Sequence, residues 1–114
     1  MIKPTITWAD FEKIDMRCGT IVRVEDNVKA RKPAYVLQID LGEEIGIKQS
    51  SAQITTHYSK EQLVGKQVQC VVNFEPKLVA GVKSEVLITG FYDAEGAVVL
   101  VTPTHSIDNG AVLG

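Results

Sequence analysis

Cysteine, histidine and aromatic residues are scarce in this chain of 114 residues, and it carries no excess of positive charge. Each scarcity removes a class of function. The two cysteines, Cys18 and Cys70, have no Cys-x-x-Cys spacing, which argues against a zinc ribbon or a thioredoxin-type redox pair. Both sit in strand-like apolar settings and read as small buried hydrophobes in a reducing compartment. The two histidines, His57 and His105, lack metal-ligand spacing to Cys, Asp or Glu, so neither a metal nor another cofactor is expected. Ser50 and Ser51 stand in no Gly-x-Ser-x-Gly elbow, and Gly42 and Gly46 open no helix that would cradle phosphate. The adjacent Glu43 and Glu44 fall on a turn and read as solubilising charge rather than an acid/base pair. No catalytic constellation remains, and an enzyme is not expected.

A net charge of −2 and a pI near 5.6 exclude a generally basic nucleic-acid binder, leaving RNA contact to a local patch. With one tryptophan, three tyrosines and three phenylalanines, stacking surface is also short. Tyr35 and Phe74 share parity with apolar neighbours and read as core. A surface without free rings fits a folded RNA or an extended polypeptide better than single-stranded bases. The first ten residues hold no apolar run long enough for a signal peptide or a span, so cytoplasmic residence without membrane insertion is expected.

What is present is a succession of short strands, at a length that suits one domain over 1–114. Thr7-Trp-Ala-Asp10 has the form of a capping box opening a short helix, with Trp8 and Phe11 one turn apart on its apolar side. So short a helix is marginal alone, and these rings need the barrel or a second copy to cover them; a dimer seam is the expectation. Residues 16–25 alternate as a strand, and Gly19 within them suggests a bulge or bend. A polar loop follows, with Lys29, Arg31 and Lys32 clustered. Residues 34–41 resume the alternation, with Tyr35, Leu37, Ile39 and Leu41 inward. Gly42-Glu43-Glu44 then turns into 45–51, where Ile45 and Ile47 should face the core and Lys48 and Ser50 solvent. Ser59-Lys-Glu-Gln62 forms a second capping box, with Gly65 ending its helix. Residues 66–74 read as a strand with Val68, Cys70, Val72 and Phe74 on one face. A loop bearing Pro76, Lys77, Gly81, Lys83 and Ser84 leads to strands at 85–91 and 97–101. The tail from 102 onward is mostly loop with a short terminal pairing.

A helix between the third and fourth strands of a five-stranded barrel is the order of the OB-fold. The expected architecture is therefore all-β: an OB-fold barrel with a short N-terminal helix, that intervening helix and C-terminal extension strands. Its working surface should be the outer face of strands two and three plus the two long loops. The candidate donors there are Arg31, Lys48, Gln49, Ser50, Lys77, Lys83 and Ser84.

Four blocks carry a resemblance: Asp10-Phe-Glu-Lys-Ile-Asp-Met-Arg17, Ala30-Arg-Lys-Pro-Ala34, Glu44-Ile-Gly-Ile-Lys-Gln-Ser-Ser-Ala-Gln-Ile-Thr55 and Val72-Asn-Phe-Glu-Pro-Lys-Leu-Val-Ala-Gly-Val-Lys-Ser-Glu-Val-Leu87. From Asp10 to the end the chain resembles the CsaA family, secretion-associated chaperones built on a tRNA-binding-type OB domain. The resemblance implies a homodimer that binds unfolded or pre-secretory polypeptides and works with the export ATPase. The wider tRNA-binding domain family has a loop reading roughly Asn-Leu-x-Pro-x-Lys-Met-Arg-Gly-x-x-Ser-x-Gly-Met. Asn73, Pro76, Gly81 and Ser84 match it, which adds Asn73 to the candidate ligand residues. Ala80 stands where that loop has Arg, Val86 where it has Gly, and Leu87 where it has Met. The loop thus loses a basic and a flexible element, which favours the chaperone branch and leaves tRNA as the second candidate ligand.

Overall fold

The computed structural model describes residues 1–114, and its hub is the long strand β1 (Met16–Asp26). β1 pairs antiparallel with β2 (Tyr35–Asp40) along its second half and with β4 (Gln67–Val71) along its first. β3 (Ile47–Ala52) adds to β2 and β7 (Leu87–Ile88) adds to β4, giving a five-stranded sheet in the order β3-β2-β1-β4-β7. The ends of this sheet meet where the Glu85 N–H donates to the Gln49 carbonyl at 2.7 Å, nearly closing a barrel. Ile21, Leu37, Ile39, Leu41, Val68 and Cys70 fill the interior without measurable exposure. Both expected capping boxes form, at Thr7/Asp10 for α1 (Trp8–Glu12) and at Ser59/Gln62 for α2 (Lys60–Leu63). α2 lies between β3 and β4 and drives Leu63 into the core, as the OB-fold order required.

Three facing assignments differ from the alternation read in sequence. In β1 the bulge falls at Val22, not at Gly19: Ile21 faces Ile39 while Arg23 already faces Gln38. The extra residue puts Ile21 in the core and Val22 outside. Gly19 serves close approach instead, since a Cβ there would stand 2.6 Å from Ile39 Cγ2 and 2.7 Å from Leu41 Cδ2. In β3 the alternation resets at Gly46, whose φ of 84° lies in the left-handed region. Ile45 still packs on the core, but Ile47 is exposed and Ser50 lies opposite Leu37, inside. After β4 the chain leaves the sheet early, and Phe74 ends 59% exposed rather than in the core.

The remaining strands form two hairpins. β5 (Lys77–Val79) and β6 (Val82–Ser84) occupy what the sequence suggested was a loop. β8 (Gly90–Tyr92) and β9 (Val98–Leu100) form the other, and Thr89 separates β7 from β8, splitting the expected strand 85–91. The tail then lies along β1. Cys18 N–H donates to the Ala111 carbonyl at 2.9 Å, Gly110 N–H to the Cys18 carbonyl at 2.7 Å, and Leu113 N–H to the Met16 carbonyl at 2.9 Å. These bonds cover the stretch of β1 edge that β2, ending opposite Thr20, leaves open.

Candidate ligand-binding surface

The β5–β6 hairpin turns through Ala80 and Gly81, with φ of 48° and 78°, both left-handed as a two-residue type I′ turn requires. Three bonds fix its β6 side to the barrel. Gln49 Nε2 donates to the Lys83 carbonyl at 3.2 Å, Gln49 N–H to Glu85 Oε1 at 3.1 Å, and Ser51 N–H to Ser84 Oγ at 3.3 Å. Its tip reaches the basic loop after β1, where the Lys29 side chain lies across Gly81; a Cβ there would stand 2.5 Å from Lys29 Cδ. That loop is held by the buried Asn27, whose Oδ1 accepts from Lys29 N–H at 3.2 Å and whose Nδ2 donates to Ser51 Oγ at 3.2 Å. The two loops expected to act together are thus in contact.

A groove of about 550 Å³ opens between β3, the hairpin and the segment leading into it. Phe74, Val79, Val86 and Leu87 supply apolar walls, Ser50, Ser51 and Ser84 hydroxyls, and Glu75, Lys77 and Glu85 charge. On the opposite face of the hairpin a polar depression of about 390 Å³ is lined by Gln38, Ile47, Lys48, Gln49, Lys83 and Glu85. Lys77 pairs with Ser84 across the hairpin and Lys83 with Leu78, so the two lysines serve different faces.

The eight candidate ligand residues therefore divide. Lys77 and Lys83 are exposed, as is Arg31 on the neighbouring loop, and Ser84 borders the groove. Lys48 is half-buried with its Nζ 3.7 Å from Glu85 Oε2. Three belong to the framework. Gln49 clamps the hairpin as described. Ser50, 2% exposed, lies on the core face of β3, where the reset at Gly46 turns it away from the solvent face expected for it. Asn73 accepts from Asp15 N–H at 3.0 Å and donates to the Lys13 carbonyl at 2.7 Å, so both ends of its amide hold the α1–β1 joint. Phe74 and Lys29 stand on this surface although neither was among the ligand candidates. Pro76 two residues further on, which ends pairing, was the available sign for Phe74.

Elsewhere, Trp8 is 82% exposed and Phe11 half-buried, flanking a depression with Ile14, Val112 and Leu113. His57 Nε2 meets Asp93 Oδ2 at 2.6 Å, joining the β3–α2 connection to the β8–β9 turn. Hydrogen bonding from His57, then from backbone N–H groups of Ala97 and Glu95, holds the Asp93 carboxyl below its ordinary value. Both cysteines are free and buried; burial pushes the Cys70 thiol up to about 12, with Cys18 adding to the shift.

Barrel, hairpin and groove define a small binding domain of the OB class. The family profile described as "Putative tRNA binding domain" matches residues 16–112. A crystal structure of the chaperone CsaA from Bacillus anthracis str. Ames is 47% identical, covering 97% of this chain and 100% of that one, with a TM-score of 0.92. A CsaA chaperone protein from Picrophilus torridus is 46% identical over 96% of this chain and 100% of its own, with a TM-score of 0.89. Methionine–tRNA ligase of Flavobacterium johnsoniae is 36% identical over 97% of this chain, which spans only 15% of the ligase. The chain belongs to the tRNA-binding domain family, as a domain of the CsaA type. That family is defined by binding, not by a catalytic centre.

Proposed function

We propose that this protein is a CsaA-like chaperone of protein export, a cytoplasmic homodimer that holds unfolded or pre-secretory polypeptides and passes them to the export ATPase. The groove carries this reading. Its apolar walls offer a place for the side chains that an unfolded segment exposes, and its hydroxyls can meet peptide groups. Its charges are of both signs, which suits a neutral chain better than a polyanion. The exposed Trp8 and half-buried Phe11, beside Ile14 and Val112, supply the apolar surface for the second copy.

A second reading, structure-specific tRNA binding, is favoured by the cluster of Lys29, Arg31, Lys77 and Lys83 around one hairpin, and by the methionine–tRNA ligases among the relatives.

Two variants separate the readings. Phe74→Ala should weaken binding of a reduced, carboxymethylated polypeptide roughly tenfold, about 1.4 kcal/mol, with tRNA affinity unchanged. Lys77→Ala with Lys83→Ala should lower tRNA affinity and flatten its salt dependence, leaving polypeptide binding nearly intact. Anisotropy titrations at several salt concentrations measure both. Polypeptide binding indifferent to Phe74 would remove the groove from the proposal.

A further inference from the structure

The register of the β5–β6 hairpin has a consequence for how a segment would be held. In a two-residue type I′ hairpin the pair flanking the turn, here Val79 and Val82, exchanges both backbone hydrogen bonds, and so does the pair two residues on, Lys77 and Ser84. Leu78 and Lys83 lie between them, with their backbone groups turned away from each other. On the β6 side this is visible, since the Lys83 carbonyl accepts from Gln49 Nε2 of the barrel. On the β5 side no further strand pairs, so the N–H and C=O of Leu78 face outward along a free edge. That edge is the rim of the groove, because Lys77 and Val79 on either side of Leu78 both line it.

We propose that an extended polypeptide segment is captured by strand addition to this edge. Leu78 supplies the backbone donor and acceptor, and alternate side chains of the segment enter the groove against Phe74 and Val79. The proposal rests on the chaperone reading and gives the mode of binding at that same site. Charge complementarity selects the occupant. The rim carries Glu75, which no cation of the chain pairs, two residues from Lys77, and Glu85 lies behind them. With Glu85 already offset by Lys48, Glu75 and Lys77 leave the rim no net positive charge for a phosphate backbone, whereas a peptide backbone brings no charge to conflict with either. Backbone pairing is also indifferent to sequence, as a holder of varied unfolded chains requires.

The test removes the donor without removing the strand. Leu78→Pro deletes an N–H that the hairpin does not use, at an edge position where proline is tolerated, while Leu78→Ala keeps that N–H and deletes the side chain. The probe is a fluorescent synthetic peptide of alternating apolar and neutral polar residues, titrated by anisotropy. Leu78→Pro should weaken binding at least tenfold and Leu78→Ala less than threefold. Against the unaltered protein, the same peptide N-methylated at alternate backbone nitrogens should lose binding in one of the two methylation frames only. Equal affinity for Leu78→Pro and Leu78→Ala, or for both methylated frames and the parent peptide, overturns strand addition and leaves the groove reading standing. Failure of the unaltered protein to bind the parent peptide overturns that reading itself. Should Leu78→Pro not fold, the methylated frames decide alone.

Discussion

Single atoms decide several positions in this barrel. Gly19 is the sharpest, because any side chain there meets Ile39 and Leu41, both fully buried. Gly19→Ala should destabilise the protein by about 1–3 kcal/mol, the usual range for overpacking a well-filled core, with the loss read from a denaturant midpoint. Asp93 makes a prediction about pH. Its carboxyl is lowered from 3.8 in the fold, so its contribution to stability is present above that value and lost as pH falls through the lowered one. The stability gap between the wild type and Asp93→Asn should therefore narrow as the solution is acidified below the ordinary carboxylate value. A gap constant with pH would mean that the His57 contact contributes nothing. Neither feature was legible in the sequence. His57 and Asp93 lie 36 residues apart and meet only because β8–β9 folds back beside the β3–α2 connection. Gly19 did announce itself as unusual, but alternation cannot distinguish a bulge from a close crossing. Ser50 and Phe74 were misplaced for one shared reason: counting in twos survives neither a left-handed glycine nor a strand that ends early.

Among the elements, the helices were the most readable, since a capping box is a local arrangement and Thr7/Asp10 and Ser59/Gln62 each satisfy it within one turn. The β5–β6 hairpin was the least. Its turn lacks the Asn-Gly or Asp-Gly pair that marks a type I′ connection, and Ala80 takes a left-handed φ that alanine disfavours by about 1–2 kcal/mol. Ala80→Asn should relieve part of that cost and slow amide exchange at Val82 and Ser84, while the barrel strands exchange as before. Unchanged exchange there would mean that the barrel, through Gln49 and Ser51, sets the hairpin and the turn follows. The OB order itself was plain from sequence because it needs only the count of strands and the place of α2.

At the level of the whole molecule, Trp8 is exposed and Phe11 half-buried, an apolar pair that the barrel leaves uncovered. The proposed pairing of two copies predicts that Trp8→Ala with Phe11→Ala shifts sedimentation toward the monomer without altering the barrel, and an unshifted boundary would take α1 out of the seam. The tail bears on the molecule as a whole in another way. Residues 110–113 are fastened to β1 by backbone bonds at Gly110, Ala111 and Leu113. Traction applied to Gly114 therefore loads those bonds one after another, as in unfastening a zip, while strands β1 to β4 still resist as a block. A pull transmitted through Gly114 would bare this flank of β1 before the barrel parts.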